Sequence, residues 1–240
     1  MTIFHALVAF AAFVAGAIAS VAGFGIGSIL TPLLATHLGM KLAVAAVSIP
    51  HVLATALRFW LLRRQVDRHV LLSFGITSAV GGLAGAIAHV FFGGRVLTIV
   101  LAVLLIFTGI TGLLRFQFRF RGATAYGAGA LSGFLGGLVG NQGGIRSGAM
   151  LGFDVSKEAF VATSTAVGLI VDGARMPVYV WSEGSALRPI AGLIGIAVIG
   201  VLTGTLAGRA ILGRIPEPIF KRLISALVLL LGIALLFLLQ

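Results

Sequence analysis

Apolar residues fill this chain in eight blocks, at about 5–38, 42–62, 70–92, 96–114, 123–153, 159–181, 189–208 and 220–239, with short polar gaps between them. Six blocks have roughly the 20 residues that a helix needs to cross a hydrocarbon core of about 30 Å. Blocks one and five run past 30 residues and are each interrupted by a glycine-rich stretch: Gly23, Phe24, Gly25, Ile26, Gly27 and Ser28 in the first, Gly140, Asn141, Gln142, Gly143 and Gly144 in the fifth. A glycine inside a helix costs about 1 kcal/mol relative to alanine, so these clusters predict helix breaks. Asn141 and Gln142 place two amides where a lipid-facing helix would be apolar.

The basic residues choose the topology. If all eight blocks cross once, the loop Lys and Arg residues divide seven against seven. If blocks one and five are re-entrant hairpins, Arg63, Arg64, Arg68, Arg115, Arg119, Arg121, Lys157, Arg209, Arg214, Lys221 and Arg222 share one side and only Lys41, Arg95 and Arg188 lie opposite. Eleven against three is a positive-inside signal. It predicts six full spans and two hairpins, with both termini outside.

The blocks also repeat at an offset of 117 residues (140 − 23 = 117). Gly16 matches Gly133, Gly23 matches Gly140, Gly27 matches Gly144, Leu34 matches Leu151, Val44 and Ala45 match Val161 and Ala162, and Arg58 matches Arg175. In the hairpin topology the halves begin on opposite sides, which makes them inverted repeats. The expected fold is therefore an all-α polytopic membrane protein, each repeat a broken, re-entrant hairpin followed by three transmembrane helices. Residues 1–114 form the first repeat, 115–122 a basic cytoplasmic linker and 123–240 the second repeat. Many secondary transporters have this plan, with substrate held near the midplane by broken helices.

Composition narrows the function. Of 240 residues 59% are hydrophobic and 10% charged, and the mean hydropathy of +1.16 excludes a soluble globular domain. The net charge of +11 would point to nucleic acid in a soluble protein, but here it lies in the gaps between spans and reads as topology. The absence of cysteine excludes a disulfide scaffold, a thiol nucleophile and thiolate-held metal clusters. The five histidines lack metal-ligand spacing, so neither a metal nor a cofactor is expected. The segment from Thr2 lacks the basic start of a signal peptide. No serine triad or carboxylate pair offers catalytic apparatus, so an enzyme is not expected.

Three arginines remain inside the apolar blocks: Arg58, Arg146 and Arg175. A cation at bilayer depth costs at least ~2.5–3.5 kcal/mol on insertion scales and normally faces a partner, a cavity or water. The planar guanidinium suits an oxyanion. Arg58 also stands close enough to Arg63 and Trp60 to snorkel to the same interface, and Arg175 is placed to pair with Asp172 at i, i+3. Arg146, just past the second break, has no carboxylate nearer in sequence than Asp154 and is the best single anion ligand.

Helices restarting after a break offer free backbone N–H groups and a positive dipole end. The restarts fall at Gly27 and Ser28 and at Gly144 and Ile145, with Asn141 and Gln142 as further donors. The i, i+4 glycines read equally as close-packing faces, within the chain or in a homodimer. His51, next to Pro50 inside a span, is either a proton carrier or a hydrogen-bonded core residue. His51 and Asp172 are the gating or proton-coupling candidates. Ser48, Ser164 and Thr165 either line the same face or bond back to their own helices. His37, His69 and His89 are expected at loops or boundaries.

The Gly-Phe-Gly-x-Gly-Ser break at Gly23 to Ser28, its counterpart from Gly137 to Gly144 and the duplicated layout resemble the TauE/SafE family of bacterial sulfite and organosulfonate exporters. The resemblance covers nearly the whole chain in layout, with the motifs chiefly in the two hairpins. It implies a multi-pass transporter of the bacterial inner membrane, with a small sulfur oxyanion or sulfonate such as sulfite or sulfoacetate as substrate and the bilayer as its other partner. It carries over to the hairpin motifs at Gly23 to Ser28 and Gly140 to Gly144. The second motif departs from the family's usual Gly-x-Gly-Gly-Gly at Asn141, Gln142 and Arg146, which points to a difference in substrate. The substrate-binding set expected is thus Gly23, Phe24, Gly25, Gly27, Ser28, Arg58, Asn141, Gln142, Gly143, Gly144, Arg146 and Arg175. An anion channel and a non-transporting membrane subunit or sensor are the alternatives.

Overall fold

The computed structural model describes residues 3–116, 123–141, 146, 150, 156–212 and 216–237, and the regular structure among them is helical. The helices are α1 (Ile3–Ala22), α2 (Ile26–Leu38), α3 (Met40–Leu62), α4 (Arg68–Phe91), α5 (Gly94–Leu113), α6 (Ala123–Val139), α7 (Lys157–Leu187), α8 (Ala191–Leu212) and α9 (Glu217–Phe237). Six stretches of the described residues are long and apolar enough to cross a membrane, in α1, α3, α4, α5, α7 and α8. The large side chains exposed on these helices are mostly apolar, among them Leu72, Ile76 and Val80 on one face of α4, as expected of a surface that meets lipid.

The first long block breaks at Gly23, which takes φ 78°, and Gly25, at φ 131°. No side chain tolerates those values easily, so the glycine cluster fixes the break. Beyond it the chain turns back: the ring of Phe4, near the start of α1, stacks on His37, near the end of α2, with centroids 3.7 Å apart. Both ends of the block therefore lie on one face. The arms are unequal, since α1 has 20 residues and is itself of spanning length, while α2 has 13. The second long block breaks at Gly140, with φ 74°. Its return arm lies mostly outside the described residues, as does most of the basic linker. At the other junctions, Asp67 caps α4 by accepting from the Val70 N–H at 3.0 Å, and Ser156 caps α7 by accepting from the Ala159 N–H at 3.2 Å. Each cap satisfies a backbone donor that a helix start leaves free.

Two close helix pairs dominate the packing, α1 with α8 and α4 with α6. Both use glycine to bring backbones into contact. Gly204 and Gly208 rest on the Phe13 and Ala17 carbonyls, and Gly81 and Gly85 rest on those of Ala130 and Phe134. Phe13 and Ala17 stand 117 residues before Ala130 and Phe134, whereas their glycine partners stand 123 apart (204 − 81 = 123). The six added positions fall where α7 extends to 31 residues, beyond the block expected at 159–181. The small-residue faces are thus occupied within the chain, where dispersion contacts hold helices together in lipid.

Corresponding helices of the two halves run antiparallel. Along the α3–α7 contact, Ser48 meets Met176, His51 meets Asp172 and Thr55 meets Gly168. Along α5–α9, Ile106, Gly109 and Gly112 meet Gly232, Leu229 and Ser225.

Candidate anion site where the two helix breaks meet

The breaks come together in the middle of the bundle. A Cβ on Gly27, in the first turn of α2, would run into the carbonyl oxygen of Gly140. Around this contact lies a cavity of about 10 Å³, room for one water. Phe24, Gly25, Gly27 and Ser28 line it from the first break, Gly140 and Asn141 from the second, with His51 and Arg146 completing the wall. The N-terminal end of α2 therefore faces the cavity with the unpaired N–H groups and partial positive charge of a helix start.

Arg146 spans from the second break to the first. It is 4% exposed, its Nε donates to Ser164 Oγ at 3.1 Å, and its Nη2 donates to the Gly23 carbonyl at 3.4 Å. Nη1 is buried without a partner among the described residues, as are Asn141 Nδ2, Thr31 Oγ1 and Arg58 Nε. Of these, Arg146 and Asn141 line the cavity; buried, unspent donors are costly, and they are the equipment an oxyanion requires.

Arg58 and Arg175 are committed differently. Arg58 Nη1 donates to the Ala19 carbonyl at 2.6 Å and Nη2 to Thr55 Oγ1 at 3.1 Å. Arg175 Nη1 donates to the Gly136 carbonyl at 2.5 Å. Ala19 and Gly136 lie in the last turns of α1 and α6, 117 residues apart (136 − 19 = 117). Each carbonyl also accepts the backbone N–H of its break glycine, Gly23 or Gly140, at 3.0 Å, so each arginine adds a charged donor at the negative dipole end of the arm preceding a break. Arg58 does not reach the interface: it is buried, while Arg63 donates to the Trp60 carbonyl and covers its ring. Arg175 does pair with Asp172, whose Oδ1 accepts from Nε at 3.0 Å and lies 2.7 Å from Nη2.

The other oxygen of Asp172 lies 2.7 Å from His51 Nδ1. A continuous chain thus crosses the molecule, from Arg58 through Thr55, His51 and Asp172 to Arg175. The link from Thr55 to His51 is its longest step, at 3.5 Å. The two gating candidates are one bonded pair, joined across 121 residues of sequence (172 − 51 = 121).

Among the remaining expectations, Ser164 lines the site through Arg146, Ser48 bonds back to Ala45 at 2.6 Å, and Thr165 bonds back to Val161 at 2.8 Å. Gln142, Gly143 and Gly144 lie outside the described residues. His37, His69 and His89 all stand near helix ends, as expected; His37 and His69 are exposed there and His89 is fully buried. Its Nδ1 meets the Leu138 carbonyl at 2.8 Å, because α6 packs along α4 up to its last turns. Tyr179, which sequence reasoning missed, donates to the Gly137 carbonyl. With Arg175 and His89 it completes a set of side chains over the end of α6. An apolar stretch gives no signal for such a role.

No group of three or more His, Asp or Glu side chains suited to a metal occurs among the described residues. A multi-pass helical bundle, broken twice at its centre around a buried guanidinium, is the build of a membrane transporter for small anions. The model of the sulfite exporter TauE/SafE family matches residues 8–235, and the chain belongs to that family. This is a family of membrane transporters of the sulfite and organosulfonate type, not of enzymes. No curated protein and no solved structure matches the chain.

Proposed function

We propose that this protein is a secondary transporter that moves a small sulfur oxyanion or organosulfonate, such as sulfite or sulfoacetate, across the bacterial inner membrane by alternating access. The observation that carries the reading is Arg146: a buried guanidinium at the meeting point of two helix breaks, with one nitrogen that has no partner among the described residues. Arg146, Asn141 and the start of α2 with Ser28 bind the anion directly. Gln142, Gly143 and Gly144 complete the binding set from the second motif. Arg58 and Arg175 hold the ends of α1 and α6 in place and add positive potential from behind.

A cavity with room for one water is smaller than any sulfur oxyanion, so the site must widen to load and release. The repeat offers the means, in that the halves act as inverted repeats, one moving against the other around the breaks. The antiparallel run of α3 against α7 and of α5 against α9 supports that reading. An anion leaving a negative cytoplasm moves downhill in the membrane potential, which favours export. A homodimer would use faces other than the glycine stripes, which are filled within the chain.

The test is a thermal-shift screen of the purified protein in detergent against sulfite, sulfate, thiosulfate, sulfoacetate, taurine and acetate. Stabilisation by one or more sulfur anions, lost in Arg146→Ala while that variant still unfolds cooperatively, is the expected result. The same response in wild type and Arg146→Ala removes the site, and no response to any anion removes the function. Flux in liposomes that saturates with concentration and shows counter-transport separates a carrier from a channel.

A further inference from the structure

We infer that the His51–Asp172 pair carries a proton together with the anion, so that binding the substrate at Arg146 places a proton on His51 Nε2. The inference rests on the transport reading above and adds a second cargo to it.

Asp172 is held as a carboxylate by Arg175, which contacts its Oδ1 through both Nε and Nη2. Its Oδ2 is then an acceptor, and the hydrogen bond at 2.7 Å makes His51 Nδ1 the donor. A neutral imidazole with its proton on Nδ1 has a lone pair at Nε2, and no protein group among those described takes it. His51 lines the cavity beside Arg146, and its side chain is 11% exposed while that of Asp172 is sealed. The proton can therefore enter and leave from the anion's own cavity.

The charges around the ring make the two cargoes cooperate. Arg58 stands on the same helix, Arg175 and Asp172 come from α7, and Arg146 follows the second break. The other residues that line the cavity, Phe24, Gly25, Gly27, Ser28, Gly140 and Asn141, are uncharged. In the empty site three guanidinium groups outweigh one carboxylate, and a further positive charge on His51 is opposed. An oxyanion at Arg146 cancels that excess and makes the imidazolium favourable. Coupling of this kind is reciprocal, so the proton strengthens anion binding as much as the anion strengthens proton binding. No covalent chemistry is involved: a proton from water forms the Nε2–H bond as the anion enters and returns to water as it leaves. Anion and proton move in the same direction, and their combined gradients set which direction that is.

The pairing is missed by spacing rules because its members come from different halves. In the repeat, His51 corresponds to Gly168 and Asp172 to Thr55, each at 117 residues. Neither half alone contains the pair, so it assembles only when α3 and α7 meet.

The test is binding calorimetry on the purified full chain with thiosulfate, which does not itself titrate near neutral pH, and with sulfite, in buffers of differing ionisation enthalpy. The variant is His51→Asn, which keeps a side-chain N–H for Asp172 and lacks the basic Nε2. Wild type is expected to take up close to one proton per anion wherever His51 starts neutral. There its affinity falls by about tenfold for each unit of rising pH, the slope of one linked proton. In His51→Asn binding is weaker but the His51 proton is missing, and the thiosulfate affinity is flat with pH. For sulfite, the difference between wild type and variant removes the ligand's own titration. Anion binding with no proton uptake by wild type overturns the inference and leaves the transport reading intact, as does equal uptake by the variant. Failure of both anions to bind wild type would overturn the inference together with the reading on which it rests.

Discussion

The two halves of the molecule share a scaffold and differ in what they hang on it. Gly23 and Gly140 take the same positive φ at equivalent breaks. Arg58 caps the end of α1 as Arg175 caps the end of α6, and α8 lies on α1 as α4 lies on α6. The chemistry at the centre is not duplicated. Arg146 corresponds to Ile29, Asp172 to Thr55, Asn141 to Phe24 and Gly168 to His51. Backbone requirements recur because each half has to build the same break. Arg146 and Asp172 do not recur, because a small anion needs one primary ligand and a second copy would leave another buried cation without a partner.

The widest gap between the halves is expected in the cost of losing each capping arginine. Arg175→Met strands Asp172 as a buried carboxylate with only His51 beside it, a change of about 3–5 kcal/mol for one partner of a buried ion pair. Arg58→Met removes the charged donor to the Ala19 carbonyl, which keeps the Gly23 N–H, takes the guanidinium from the Thr55 hydroxyl, and strands no charge. That loss is about 1.5–3 kcal/mol, the range for hydrogen bonds to a charged group. Unfolding of both variants in detergent, without added anion, measures the difference. Equal losses would mean that the Asp172 pair adds nothing to the cap and that the halves are energetically the same.

This division also explains which parts were legible in the sequence. The blocks, the breaks and the recurrence of Arg58 at Arg175 are local patterns of hydropathy and glycine, and they appear in the structure close to where they were read. The Asp172–Arg175 pair was legible because i, i+3 neighbours share a helix face. The His51–Asp172 bond was not, since it depends on how α3 and α7 cross. Nor was the match of Gly81 and Gly85 to Gly204 and Gly208. The longer α7 shifts the offset there from 117 to 123, so a fixed-offset comparison passes over it. The role of Arg58 required knowing that the Ala19 carbonyl, 39 residues away in sequence, lies within its reach.

A smaller effect tests the difference at Gly168. A Cβ there would come within 2.8 Å of Arg146 Nη1, so the absence of a side chain is what gives the guanidinium its place. Gly168→Ala is expected to push Arg146 off its rotamer at a cost of about 0.5–1.5 kcal/mol, which lowers anion affinity by up to about tenfold. The helix itself gains from alanine, so stability without anion should hold or rise. Calorimetry with the anion that stabilises wild type best, compared with unfolding in its absence, separates the two. An unchanged affinity would show that the placement of Nη1 does not matter, and would weaken Arg146 as the direct ligand.

The smallest effect belongs to Thr55, the neutral counterpart of Asp172. Thr55→Val keeps the shape of the side chain and removes the acceptor for Arg58 Nη2, which costs about 1 kcal/mol. Arg58 then keeps only the Ala19 carbonyl, since its Nε has no partner among the described residues. A guanidinium released in this way becomes freer to turn toward an anion. If Arg58 acts only as a cap, anion affinity stays within about twofold of wild type while stability falls slightly, because the potential at Arg146 changes little when a neutral hydroxyl is lost. If Arg58 is a direct ligand, affinity rises instead, since Thr55 no longer competes for its Nη2. Stability and affinity measured on this one variant therefore decide whether the first half supplies a charged ligand to the site or only the frame that holds its break.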